Sequence, residues 1–264
     1  MQILKGVLQF SLPSSYYSFR KPVRPVTFIL VQCKFLSKMS QTKITFKTGN
    51  KLGDCPGVMV GDPKKTKKGL IVIQEWWGMN AQIIEEATLI SKSGFVTVTP
   101  DLYRGKVATD REGAGHLMNN LDWPGAVADI KGAVEYLKAA GCAKVGVTGF
   151  CMGGALSLAA AALSTGVDAA VPFYGIPNKS LCDVKNIKCP VQCHFANQDT
   201  VAGFSSPKDA DELENTLKKT GIKLEFYRYD ANHAFTNPTS PNYNKECCDA
   251  ALKRMCDFMN KNLA

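Results

Sequence analysis

Apolar and polar positions from about residue 40 onward follow the pattern of an alternating α/β chain. GLIVIQ at 69–74 is a continuous apolar run, which is typical of a strand that is buried on both faces of a sheet. Other short apolar segments are bounded by glycine, proline or charged residues. The predicted strands are 43–47, 57–61, 69–74, 95–100, 144–149, 168–175, 190–199 and 223–230.

Between these runs, apolar residues recur every three or four positions, which is the period of a helix with one buried face. Trp123-Pro124 marks the start of one such helix, and a glycine ends the helix over 81–94. The predicted helices are 81–94, 123–141, 152–163, 206–221 and about 243–263. The segments 76–80, 103–120, 175–182 and 201–206 are predicted as loops that form the walls of a substrate pocket.

Strands that alternate with helices of this length predict an α/β fold, with a mostly parallel central sheet and helices on both faces. The connections between parallel strands are expected to be right-handed. The body of the chain has no internal repeat and no linker. We therefore interpret residues 39–264 as a single domain.

Residues 1–38 differ from the rest of the chain, because they carry six basic residues and no acid. We interpret them as an N-terminal extension without a structural role, and expect the working protein to begin near Met39. This interpretation places the protein in the cytoplasm. The alternative is a mitochondrial presequence, since such segments are rich in basic residues and serine and poor in acids.

The net charge of +9 is concentrated in that extension, and the rest of the chain has 26 basic residues against 23 acidic ones. No cluster of Lys and Arg is interleaved with aromatic residues. We therefore expect neither a nucleic-acid partner nor a membrane partner. The apolar run 26–31 is too short to span a bilayer.

The ten cysteines do not form a repeating framework, which favours free thiols in a reducing compartment. A zinc site formed by Cys182, Cys189, Cys193 and His194 is an alternative. Adjacent residues of a strand point to opposite faces, so Cys193 and His194 would be separated in such a site. We expect no metal.

GFCMGG at 149–154 places Cys151 between two glycines, where a predicted strand passes into a predicted helix. A nucleophile on such a turn takes a strained backbone conformation, and its neighbours must be small. The turn also places the thiol at a helix N-terminus, which favours a thiolate. The alternative is a buried cysteine in a glycine-rich turn.

A nucleophile needs a base, and the base needs an acid that orients it. Asp199 and His233 each follow a predicted strand, so they lie at the same edge of the sheet as Cys151. Asp230 is an alternative acid, although it is close in sequence to His233. His194 is expected in the core, and His116 on the surface.

Glu75 follows the buried strand 69–74 and precedes Trp76 and Trp77. A carboxylate in this position needs a partner, or burial raises its pKa. It could form a hydrogen bond with the thiol and restrain it. The alternative is a surface carboxylate beside two core tryptophans.

Five motifs occur in a characteristic order: QEWWG, PDLYRG, GFCMGG, ANQDT and NHAF. In this order they resemble the dienelactone hydrolase (carboxymethylenebutenolidase-like) family of α/β-hydrolases, and the resemblance covers nearly all of residues 40–264. It implies an α/β-hydrolase fold and a catalytic triad of Cys151, His233 and Asp199. It also implies that Glu75 holds the resting thiol less reactive until substrate binds.

The same resemblance implies an oxyanion hole formed by the backbone N–H groups of Trp76 and Met152. Tyr103 and Arg104 are expected to contact substrate. Bacterial relatives carry an arginine shortly after the histidine, whereas this chain has Asn237 in that region. Arg104 remains a candidate cation for a substrate carboxylate, and the sequence does not decide whether dienelactone itself is cleaved.

The sequence predicts a cysteine-dependent hydrolase of small-molecule esters or lactones that forms a thioester intermediate. No metal or organic cofactor is required for this chemistry, and a monomer is favoured. The two alternatives are a non-catalytic binding protein with the same fold and a redox sensor that uses Cys151.

Overall fold

The computed structural model describes residues 40–264, and they belong to one compact unit. The predicted extension over residues 1–38, its alternative as a presequence and the expected start at Met39 lie outside the described residues. The strands are β1 Gln41–Phe46, β2 Cys55–Val60, β3 Lys68–Ile73, β4 Val96–Pro100, β5 Lys144–Phe150, β6 Ala169–Phe173, β7 Val191–Ala196 and β8 Leu224–Tyr229. The helices are α1 Ala81–Ser91, α2 Arg111–Asn119, α3 Trp123–Ala139, α4 Met152–Leu163, α5 Pro207–Lys218 and α6 Lys245–Asn262, with a 3₁₀ turn at Val184–Asn186.

The eight strands form one sheet in the order β1-β2-β4-β3-β5-β6-β7-β8. Strands β3 to β8 run parallel to one another, while β1 and β2 form an antiparallel edge next to β4. The predicted α/β fold with a mostly parallel sheet is confirmed.

Two hydrophobic clusters cover the two faces of the sheet. Along β3, Ile71 and Ile73 belong to one cluster, and Leu70 and Val72 belong to the other, because successive residues of a strand point to opposite faces. Helices α3, α4 and α5 contribute to the first cluster, and α1 and α6 contribute to the second. Helices therefore pack on both faces, as predicted.

The prediction of a loop over 103–120 is wrong in part, because α2 lies within it. Asp110 starts this helix and accepts a hydrogen bond from the N–H of Gly113 at 2.7 Å. Gly113 and Gly115 lower its intrinsic helix propensity, and Ala114 is its one buried residue. Its apolar residues Ala114, Leu117 and Met118 keep helical spacing, but a helix of nine residues with two glycines gives only a weak pattern in the sequence.

In the part of the chain that the structure describes, no helix has both the length and the apolar composition needed to cross a membrane.

Candidate active site

Cys151 lies at the junction of β5 and α4, with φ 54° and ψ −116°, a conformation that is strained for a residue with a side chain. A Cβ atom on Gly149 or Gly153 would come closer than 3.0 Å to neighbouring backbone atoms. The two glycines are therefore required by the close approach of β5, α4 and β3. This geometry agrees with the turn predicted from the sequence.

Backbone hydrogen bonds hold Cys151 in this conformation. Its N–H donates to the carbonyl of Phe173 at 3.1 Å, and its carbonyl accepts from Gly154 and Ala155 in the first turn of α4. The side chain is buried, with 8% of the residue exposed. The thiol is consequently fixed at a helix N-terminus, where the helix dipole favours negative charge.

His233 and Asp199 meet at the carboxyl edge of the sheet. Nδ1 of His233 donates to Oδ2 of Asp199 at 2.7 Å, and Oδ1 of Asp199 accepts from the N–H of Val201 at 2.9 Å. The hydroxyl of Ser205 lies 3.1 Å from the same imidazole nitrogen. Asp230, the alternative acid, instead accepts a hydrogen bond from Gln198 at 2.6 Å.

The environment of His233 favours the imidazolium form. Burial alone would lower the pKa of His233, but the hydrogen bond with Asp199 and then the interaction with Cys151 outweigh it and raise the pKa to about 10. The ring also packs edge-on against Tyr174, with ring centres 5.1 Å apart. A histidine in this environment can hold a proton taken from Cys151.

The other two histidines lie elsewhere in the fold. His194 is fully buried in β7, where its ring nitrogens contact Gln192 and Tyr229, and burial lowers its pKa to about 3. Its neighbour Cys193 packs in the opposite hydrophobic cluster. His116 is exposed on α2.

Glu75 is buried, with 4% of the residue exposed, and its carboxylate is held by two side chains. The Tyr174 hydroxyl donates to Oε1 at 3.3 Å, and Nδ2 of Asn237 donates to Oε2 at 2.5 Å. Burial raises the pKa of Glu75, while the bond from Asn237, the charge of His233 and the bond from Tyr174 oppose this rise.

Three residues of this network were missed in the sequence. Tyr174 is fully buried, and its hydroxyl also lies 2.6 Å from that of Thr236. Glu86 on α1 is buried next to Glu75, and its Oε1 has no hydrogen-bond partner among the described residues. Burial and then the charge of Glu75 raise the pKa of Glu86 to about 7.

Tyr103 lies close to the turn that carries Cys151, whereas Arg104 belongs to a separate hydrogen-bond network. The Tyr103 hydroxyl donates to the sulfur of Met152 at 3.1 Å, and burial followed by the charge of Cys151 raises the pKa of Tyr103. The Arg104 guanidinium forms two bonds with the Asp129 carboxylate, at 2.8 and 2.9 Å. A contact between Arg104 and substrate would require this ion pair to break.

Two adjoining cavities lie at the same edge of the sheet, with volumes of about 360 and 570 Å³. Both are lined by residues of 176–182 and by Gly203, which agrees with two of the predicted pocket walls. Met118 of α2 lines the smaller cavity, so the region 103–120 also contributes, but as a helix.

Residues 56–263 match the model of the dienelactone hydrolase family. The chain belongs to this family. It is therefore a hydrolase of the ester and lactone class, as the sequence predicted.

The chain is 36% identical to the protein usf of Aquifex pyrophilus over 191 residues, which cover 67% of this chain and 80% of that protein. It is 32% identical to the carboxymethylenebutenolidase of Pseudomonas putida over 217 residues, which cover 77% of this chain and 90% of that enzyme.

Among solved structures, the fold is similar to that of a dienelactone hydrolase-like promiscuous phosphotriesterase from metagenomic libraries. The TM-score is 0.73 at 20% identity, over 85% of this chain and 99% of that one. An esterase from Pyrococcus furiosus has a TM-score of 0.65 at 14% identity, over 86% of this chain and 94% of that one. At these identities the similarity shows the shared fold.

Proposed function

We propose that this protein hydrolyses small-molecule esters or lactones through a triad of Cys151, His233 and Asp199. The observation that carries the proposal is the 2.7 Å bond between His233 and Asp199, beside a cysteine on a strained turn. The three residues come from loops after β5, β7 and β8, which end at one edge of the sheet.

In the first half of the reaction, Sγ of Cys151 transfers its proton to Nε2 of His233 and attacks the carbonyl carbon of the ester. The tetrahedral oxyanion accepts hydrogen bonds from the backbone N–H groups of Met152 and Trp76. Met152 is the first residue of α4, and the N–H groups at a helix start have no intrahelical acceptor. Each such donor contributes about 3 kcal/mol to transition-state stabilisation.

The intermediate then collapses to a thioester, and His233 gives its proton to the departing alkoxide. In the second half, water loses a proton to His233 and attacks the thioester carbonyl. Collapse of the second intermediate releases the carboxylic acid, and Cys151 recovers its proton from His233. Asp199 keeps Nδ1 of the imidazole protonated, so that Nε2 faces the thiol throughout.

We also propose that the Glu75 carboxylate restrains the resting thiol. What supports this role is a buried carboxylate that responds to the charge of His233 and is oriented by Tyr174 and Asn237. Tyr103 is proposed as a wall of the same site, on its contact with Met152. For localisation, we infer a reducing compartment such as the cytoplasm, because the nine described cysteines are all unpaired.

The test is to trap the acyl-enzyme with 4-nitrophenyl acetate at low pH and identify the acylated peptide by mass spectrometry. The acetyl group is expected on Cys151, together with a burst of 4-nitrophenol. Cys151→Ala should remove both the burst and turnover without unfolding the protein. Cys247→Ala, which removes a half-buried thiol on α6, is the matched control. Full activity in folded Cys151→Ala would refute the proposal.

A further inference from the structure

The smaller cavity adjoins the proposed triad on two sides. Phe204 forms part of its wall, and the Phe204 ring centre lies 6.3 Å from that of His233. Ile176, another wall residue, follows Gly175, whose backbone packs directly against the carbonyl of Cys151. The triad residues do not line the cavity themselves, but these two contacts make it a neighbouring space that a group attached to the reacting carbonyl can reach.

The wall of this cavity is mostly apolar and carries no charge. Its apolar side chains are Met118, Trp123, Pro124, Ile176, Leu181 and Phe204. The other lining residues are Asn178, Ser180 and Gly203, so no charged side chain of the described residues lines it. A carboxylate that entered this space would lose part of its hydration without gaining a cationic partner, which is costly.

The two positions from which a cation was expected do not provide one. The Arg104 guanidinium is bound to Asp129, and it also donates to the carbonyls of Asp101 and Gly53. Asn237 is neutral, and its amide donates to Glu75.

The larger cavity does not supply a positive field either. Its lining includes Lys179 and Lys185, but also three acids, Asp183, Asp209 and Glu212. The acids outnumber the lysines, so a bound anion gains no net attraction from this lining. The two cavities together are suited to a substrate without a carboxylate.

We propose that this enzyme selects uncharged esters that carry a bulky apolar group, and that it discriminates against substrates with a free carboxylate. The apolar group lies between Phe204 and Trp123 in the smaller cavity, and Phe204 is a specificity-determining residue. This inference rests on the proposed function of the triad.

The test compares 4-nitrophenyl hexanoate with the 4-nitrophenyl monoester of adipic acid, which has the same chain length and ends in a carboxylate. We expect kcat/KM to be higher for the hexanoate by about tenfold or more, since the buried charge has no partner. Phe204→Ala should lower kcat/KM for the hexanoate through a higher KM, and should affect the acetate ester much less. Leu89→Ala, which removes an exposed leucine of α1, is the control.

A second variant tests the charge argument by gain of function. Leu181→Arg places a cation in the cavity wall at a half-buried position, and Leu181→Gln makes the same position polar without adding a charge. Only the arginine variant should raise kcat/KM for the adipate monoester relative to that for the hexanoate. Equal rates on both esters in the wild type, or an unchanged ratio in Leu181→Arg, would overturn the inference.

These outcomes are distinct from a failure of the proposed triad. If the wild type cleaves both esters equally and Cys151→Ala cleaves neither, the triad stands and the selectivity proposal fails. If folded Cys151→Ala still cleaves the hexanoate, the proposed mechanism itself fails.

Discussion

Asp129 and Glu75 are both buried carboxylates, but the protein surrounds them in opposite ways. Asp129 on α3 receives hydrogen bonds from Thr48 and Asn50 and a two-point ion pair from Arg104. Its negative charge is matched by a positive one. This network ties the N-terminal strands to α3 and to the loop after β4.

Glu75 has neutral partners instead. Its hydrogen bonds come from Asn237 and Tyr174, and its charge raises the pKa of a second buried acid, Glu86. The cationic group near it is His233, whose charge changes during the proposed reaction. Asp129 is thus paired with a cation that is held in place by further hydrogen bonds, whereas the pKa of Glu75 depends on the charge of His233.

Asp129→Ala should disrupt the network around Asp129 and cause the largest loss of stability among these predictions. The change leaves the Arg104 guanidinium without its counter-ion, and breaking a buried pair in this way costs about 3–5 kcal/mol in the free energy of unfolding. Urea denaturation measures the loss. Asp257→Ala, which removes an exposed ion pair with Lys253, is the control and should change stability little. A loss no larger than in the control would contradict the structural role of Asp129.

Glu86→Gln tests the second network through pH. The folded-state pKa of Glu86 is raised from 4.5 to about 7, so the folded protein binds more protons than the unfolded chain in this range. Stability contributed by Glu86 is therefore present below about pH 4.5 and is lost as the pH rises to about 7. Above pH 7, Glu86→Gln should be more stable than the wild type by about 2–3 kcal/mol, and the difference should shrink towards pH 4.5.

The measurement is urea denaturation of both proteins across pH 4.5 to 8. Glu85→Gln, on the exposed face of the same helix, should show no such trend. If the difference between Glu86→Gln and the wild type does not vary with pH, the glutamate is not buried in the way that the structure indicates.

The sequence predicted the parts of this molecule that depend on local pattern. The apolar runs predicted the strands. The glycines around Cys151 predicted the turn between β5 and α4, because the close approach of the backbones excludes side chains there. Asp199 and His233 were found because the ends of parallel strands converge at one edge. Asp129 also left a signal, since it is an acid among the apolar positions of α3.

The hydrogen bonds around Glu75 could not be predicted from local sequence pattern. Tyr174 and Asn237 are 99 and 162 residues from Glu75 along the chain, and neither hydrogen bond follows from local pattern. Tyr174 directly follows β6, so the sequence pattern places it at the carboxyl edge of the sheet. The pattern does not predict the direction of its hydroxyl. The ion pair between Arg104 and Asp129 of α3 is likewise a contact between segments distant in sequence, so local pattern does not show that Arg104 is already paired.

Glu75→Gln gives the smallest expected effect and tests the comparison most directly. It keeps the shape of the side chain and an oxygen that accepts from Asn237, but it removes the negative charge that we propose restrains the thiol. A like charge disfavours a thiolate, so the variant should raise the rate of Cys151 alkylation by iodoacetamide, by up to about tenfold.

Because burial raises the pKa of Glu75, the charge is present chiefly at higher pH, and the difference from the wild type should grow as the pH rises. Alkylation of Cys247 in the same samples serves as an internal reference. If the ratio of the Cys151 rate to the Cys247 rate is the same in the wild type and in Glu75→Gln at every pH, Glu75 contributes only packing. In that case the difference between its surroundings and those of Asp129 has no role in the reaction.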